Sequence, residues 1–234
     1  MTRGQQWLCL ACGPLYLVIF GTGWILSGFL PPPLPTADAA TVAAFYRDNA
    51  FGVRFGQALI SLAAGLQVPW AALIATQMRR IPGCSREMVY TALGAGAAGS
   101  VFFTLPSLIW MTATFRPERD PQLTWLLSDL GWFFFVPPVT LAMVQVAAFG
   151  IGILSDRSAR PLFPRWLGYY NLWLAFIFSP GAIISFFKTG PFAWNGLLTF
   201  WIPATAFFTW FIVMAFLLRN AIRREDMPDL GGKA

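Results

Sequence analysis

The sequence predicts an all-α integral membrane bundle of six transmembrane helices, with a short surface helix in the first extracytoplasmic loop. Three observations carry that expectation. Apolar windows of about 20 residues, the length that crosses a hydrocarbon core of roughly 30 Å, recur six times along the chain. Charged residues make up only 11% of the 234 positions, against 57% hydrophobic, where a soluble domain carries about a quarter charged residues. Finally, Lys and Arg gather in alternate connections between the windows, the bias that orients membrane proteins. The 23 Phe and 11 Trp exceed what a water-soluble core of this length would bury, and a bilayer removes that difficulty.

The windows run from Trp7 to Leu30, Phe55 to Met78, Met88 to Phe115, Trp125 to Leu154, Leu167 to Phe187 and Gly196 to Leu218, within a single transmembrane domain covering 1–234. Beyond the first, Ala37-Asp38-Ala39 resembles a small-x-small cleavage site. The apolar stretch before it is too long for an ordinary signal core and runs directly into Pro31-Pro32-Pro33, so it is expected to be a retained helix. Cys9 and Cys12 form a C-x-x-C, which reads as a redox pair or half a metal site. With no second pair and no histidine in the chain, they are better explained as small apolar fillers of a helix.

The first outer loop, residues 36–49, has Thr36 or Asp38 available to cap a helix, with Val42, Phe45 and Tyr46 on one face. That pattern predicts a short helix on the membrane surface or over the bundle mouth. The third window contains Gly94-Ala-Gly-Ala-Ala-Gly-Ser100, a small-residue face for close helix packing within the chain or between copies. Windows two to six carry Pro69, Pro106, Pro137 with Pro138, Pro180 and Pro203. Each proline removes a helical donor and frees a carbonyl one turn earlier, giving either simple kinks or a bundle splayed into a cavity.

Eleven of the sixteen basic residues fall on one side: Arg3, Arg79, Arg80, Arg86, Arg157, Arg160, Arg165, Arg219, Arg223, Arg224 and Lys233. Arg47, Arg54, Arg116, Arg119 and Lys188 fall on the other. This imbalance predicts a multi-pass protein of the cell inner (plasma) membrane with N- and C-termini cytoplasmic. Acidic residues divide evenly, with Glu87, Asp156, Glu225, Asp226 and Asp229 inside and Asp38, Asp48, Glu118, Asp120 and Asp129 outside. The whole surplus of +6 therefore faces the inner leaflet. The expected partner is the lipid bilayer, together with a hydrophobic small molecule and a homo-oligomer or membrane complex. Nucleic acid is not expected, because no basic run interleaves with exposed aromatics.

The absence of histidine excludes His-ligated haem, His-rich di-iron sites, zinc-dependent intramembrane proteolysis and Ser-His catalysis within this chain. No cofactor or metal is expected. Candidate polar chemistry converges on the outer mouth. Asp129 is the only acid inside an apolar window, and it shares a helix face with Trp125 and Trp132. It reads as a helix cap together with Ser128, as a structural tie to Arg54 or Lys188, or as a functional carboxylate. The connection Arg116-Pro-Glu118-Arg-Asp-Pro121 is a self-paired turn or a polar rim for a headgroup. In the last outer connection Trp194 suits an interfacial anchor and Asn195 a cap. Deeper in the windows lie Gln57, Gln67, Gln145, Tyr169, Tyr170 and Asn171.

At FPRWLGYYNLW and KTGPFAWNG the chain resembles a group of uncharacterised bacterial polytopic membrane proteins of similar length, a resemblance covering nearly the whole chain. It implies a membrane location and no activity. The leading functional expectation is a protein that binds, senses or moves a small hydrophobic or lipid-like molecule through an aromatic cavity open toward the outer leaflet. Its ligand-binding candidates are Arg54, Trp125, Asp129, Trp132, Arg116, Glu118, Lys188, Trp194 and Asn195. The alternatives are an intramembrane acid-base isomerase or cyclase acting on an isoprenoid or steroid-like substrate, with Asp129 catalytic, and an accessory subunit of a membrane complex.

Overall fold

The Thr2 hydroxyl accepts a hydrogen bond from the backbone of Gln5, and the Gln5 side-chain oxygen accepts one from the Thr2 backbone, so the chain enters its first helix four residues before the hydropathy rises. This opening belongs to a computed structural model that describes residues 1–224. Lys233, Glu225, Asp226 and Asp229, counted above for topology, lie outside the described residues. Among the described residues the fold is of the all-α class, without strands, and six helical segments are long and apolar enough to cross a membrane. They are Arg3–Leu26, Ala50–Met78, Arg86–Phe115, Pro121–Leu154, Arg165–Phe186 and Leu197–Arg223.

The elements are α1 (Arg3–Leu26), α2 (Ala39–Asp48), α3 (Ala50–Ala64), α4 (Gln67–Met78), α5 (Arg86–Phe115), α6 (Pro121–Phe135), α7 (Thr140–Leu154), α8 (Arg165–Phe178) and α9 (Ile202–Arg223). Helix ends follow cap chemistry more closely than hydropathy. The first helix stops at Leu26, short of the expected Leu30, and Gly28 at φ 68° turns the chain toward the prolines. Asp38 caps α2, as one of the two expected caps. The cap of α6 is Asp120, which accepts from the Gln122 backbone with Pro121 in the first turn. This overturns the reading of Ser128 or Asp129 as a cap: both lie inside the helix, Asp129 about 12 Å beyond its start at 1.5 Å per residue. Asn195 is not a cap either, since Gly196 stands at that position without a side-chain bond.

The six spans close into a ring. α1 packs on α3 and α4; these pack on α5, α5 on α7 and α7 on α8. Finally α9 meets α8 along a short stretch and returns to α1. α1 and α3 cross backbone to backbone, where a Cβ added at Gly23 would lie 2.5 Å from the Gly56 carbonyl oxygen. Beside it the Gln57 amide donates to Ser27 Oγ at 2.9 Å and accepts from Ser107 Oγ at 3.0 Å, joining α1, α3 and α5 inside the ring. α2 buries Ala39, Val42 and Tyr46, packs mainly on α6, and donates from the Tyr46 hydroxyl to Ser128 Oγ at 3.2 Å.

Four spans break their α-helix partway. The second turns at Gly65 and Leu66 between α3 and α4. The fourth passes through a 3₁₀ turn at Pro137–Val139, where Pro138 leaves helical geometry at ψ 25°. The fifth tightens to 3₁₀ over Ser179–Phe186 around Pro180, and the sixth begins with a π turn, Leu197–Trp201, ahead of Pro203. Pro69 sits in the first turn of α4, and Pro106 lies inside a continuous α5. Pro14, which belongs with these prolines, is carried inside a continuous α1.

Candidate functional site

The broken spans surround a chamber of about 130 Å³ in the middle of the ring. α1 contributes Phe20; α4 contributes Gln67 and Trp70; α5 contributes Gly96, Gly99 and Phe103. The proline turn and α7 add Val136, Pro138 and Gln145, α8 adds Phe178, and the last span adds Thr199, Phe200, Phe207 and Phe211. Gly96 and Phe103 stand about 15 and 26 Å along α5 from its start at Arg86, which places the chamber near mid-span. Among the described residues no Asp, Glu, Lys or Arg lines it.

Its walls are rings in contact. Trp70 stacks on Phe211 with centroids 5.5 Å apart, and Phe20 meets Phe103 edge to face at 5.3 Å. The network continues outward from Phe20 to Trp24 at 5.6 Å, from Trp24 to Trp132 at 6.0 Å, and from Trp132 to Trp194 at 6.0 Å. At one side Trp210 Nε1 donates to Asn171 Oδ1 at 2.9 Å, joining α9 to α8, while Asn171 Nδ2 donates to the Leu167 carbonyl.

The small-residue stretch of α5 has a role beyond helix packing. A Cβ at Gly96 would strike the Gln145 amide, and one at Gly99 would lie 3.0 Å from Gln67 Oε1. The two glycines thus make room for two amide side chains at the chamber wall. Gln67 Nε2 and Trp70 Nε1 are buried without a hydrogen-bond partner, as is the Tyr16 hydroxyl beside Gln67. Gln145, part-exposed to the chamber, makes no hydrogen bond among the described residues. Thr199, by contrast, donates to the Ala193 carbonyl.

Of the residues expected at the outer mouth, the structure brings some together. Trp132 and Trp194 stack at an interplanar angle of 11°, both buried. The Trp194 indole donates to the Pro33 carbonyl at 2.9 Å, fastening the connection before the last span to Pro31-Pro32-Pro33. Asp129 is half-buried in α6 near Tyr46, and Lys188 is the cation whose charge reaches it, with no ion pair closing between them. Trp125 is half-buried one turn before Asp129.

Others separate. Arg54 donates to Thr114 Oγ1 at 3.2 Å and to the Thr114 carbonyl, tying α3 to α5, so the expected Arg54–Asp129 tie does not form. The charges of the 116–121 connection do not pair among themselves. Arg116 lies over its neighbour Phe115 at 5.9 Å, Glu118 is exposed, and Arg119 donates to the Thr112 carbonyl at 2.8 Å. Asn195 borders a second, more open recess of about 400 Å³ with Gly28, Pro31, Pro33 and Trp201. None of the nine expected ligand-binding residues lines the central chamber.

The chamber residues missed by sequence reasoning are chiefly Phe20, Trp70, Phe103, Phe207 and Phe211, which carry no signal beyond hydropathy. Gln67 and Gln145 were visible as amides in apolar windows but had no known partner. No group of three His, Cys, Asp or Glu among the described residues is placed to hold a metal. The chain matches no protein-family profile, no curated protein and no solved structure.

Proposed function

We propose that the protein is a multi-pass protein of the cell inner (plasma) membrane that binds a small, uncharged hydrophobic molecule in its central chamber. The observation that carries this reading is a cavity in the middle of the ring, bounded by aromatic rings, free of charged side chains and placed where four spans give up regular α-helix. Irregular backbone at membrane depth is tolerated where it lines protein or a cavity. Concave, mostly apolar sites with a few polar groups are the usual form of small-molecule sites. An ion is a poor occupant, since no opposite charge offsets its desolvation.

The basic surplus on one side supports cytoplasmic termini, with α2 and the Trp194 loop at the outer face. In that orientation the aromatic network from Phe20 to Trp194 links the chamber with the outer mouth. Trp132, Trp194 and Asp129 with Lys188 then shape the approach, and the chamber holds the ligand. The reading is tested by Ala204→Trp, which places an indole into the chamber from α9. Organic extracts of wild-type protein are expected to contain a small molecule that mass spectrometry does not find with this variant. The same molecule at equal yield from a folded Ala204→Trp protein would remove the chamber as the site.

A further inference from the structure

On the chamber wall several N–H donors have no hydrogen-bond partner. Trp70 Nε1 and Gln67 Nε2 lack a partner within hydrogen-bond distance, on residues 2% and 8% exposed, and the Tyr16 hydroxyl beside Gln67 is the neighbour that competes for the Gln67 amide. Gln145 faces the same space from α7 with its amide unbonded among the described residues. An indole N–H can only donate, and each amide brings two N–H groups beside its one acceptor oxygen. In a bundle surrounded by hydrocarbon no lipid tail can satisfy them, and a buried donor left without a partner is costly. The chamber therefore offers a site for an acceptor oxygen flanked by apolar surface.

Size narrows the occupant further. A cavity of roughly 150 Å³ holds one benzene ring, so about 130 Å³ admits a single ring or the ring-sized head of a longer molecule. Deepening the proposal above and resting on it, we infer that the ligand is an uncharged, ring-sized carbonyl compound whose oxygen is recognised by the Gln67 and Gln145 amides and the Trp70 indole. The carbonyl accepts where the protein donates, and its ring lies among Phe20, Phe103 and Phe207.

The test uses a pair of probes of one shape, cyclohexanone and methylenecyclohexane, which differ in C=O against C=CH₂. Both are titrated by saturation-transfer NMR into the full-length protein in lipid nanodiscs, with empty nanodiscs correcting for partition into lipid. Cyclohexanone is expected to bind about five to ten times more tightly at equal lipid-phase concentration, the worth of a buried hydrogen bond. In Gln67→Leu and Gln145→Leu the preference should fall toward unity while methylenecyclohexane still binds. Equal affinity of the two probes for the wild type, as for a chamber whose donors hold ordered water, would overturn the carbonyl recognition and leave the chamber reading standing. Binding of neither probe would overturn both. A preference retained in both leucine variants would remove the amides as its source. The wild-type comparison stands whether or not the variants fold.

Discussion

Gly56 shows how one missing side chain sets a whole crossing. A Cβ there would run into the Gly23 carbonyl and Ser27 Oγ, so α1 and α3 meet backbone to backbone. Gly56→Ala is expected to cost about 1–3 kcal/mol by forcing the crossing apart. Gln57→Leu should cost only about 1 kcal/mol, since intramembrane hydrogen bonds average near 0.6 kcal/mol each and two are lost. Unfolding of the two variants in mixed micelles measures the order, and a larger loss in Gln57→Leu would contradict it. At this scale the sequence was legible where a side chain acts on its own neighbours, as Asp38 does in capping α2. It misled where alternatives within one segment competed: Asp120, in a turn read as a charged rim, caps α6 instead of Ser128 or Asp129. The partners of Arg54 and Trp194, Thr114 and Pro33, lie 60 and 161 residues away, beyond any local pattern.

Among the elements, the spans were the readable part because hydropathy integrates over many residues. The proline positions also pointed to breaks, three of which formed at or beside Pro138, Pro180 and Pro203. Proline identity did not say which helices would absorb the lesion: α1 and α5 run on through Pro14 and Pro106, whereas the second span breaks at Gly65 and Leu66 before its proline. The turn between α7 and α8 is organised by one acid. Asp156 accepts from the Ser158 backbone at 3.0 Å, the Ser158 hydroxyl at 2.6 Å and the Leu162 backbone at 3.1 Å. Burial pushes its carboxyl up, but these bonds and the Arg165 charge outweigh that and hold it below the ordinary carboxylate range. A carboxyl depressed on folding stabilises above its unfolded value of about 3.9 and loses that contribution as pH falls through the folded value. Thermal unfolding from pH 6 to 3 should therefore show stability declining below about pH 4. Asp156→Asn should start lower at pH 6 and decline less. An unchanged acid slope in the variant would show that the turn does not depend on this charge.

For the molecule as a whole, the outward face is apolar: Leu8 is 70% exposed, Leu62 79% and Phe176 75%, an expanse suited to hydrocarbon. The bias of basic residues gives the proposed orientation, so a single cysteine at Thr189 should be labelled by impermeant maleimide from outside intact cells. One at Ser158 should react only after lysis, each in a background lacking Cys9, Cys12 and Cys84. The reverse pattern would invert the assignment. The ring itself was not legible, because which spans touch depends on close approaches such as Gly23 on Gly56 that hydropathy does not encode. The chamber was hidden for the same reason: its wall is assembled from five or more segments, each unexceptional alone.

The closure of α9 onto α1 also ties the two extremities of the described chain together. Arg80, between the second and third spans, donates at 2.9 Å to the Ala221 carbonyl and also to Gln77, which in turn donates to Gln6 at 2.6 Å. First and last helices are thus moored to one post. A tug on either terminus is shared with the other, so the two ends should loosen as a unit rather than peel away separately.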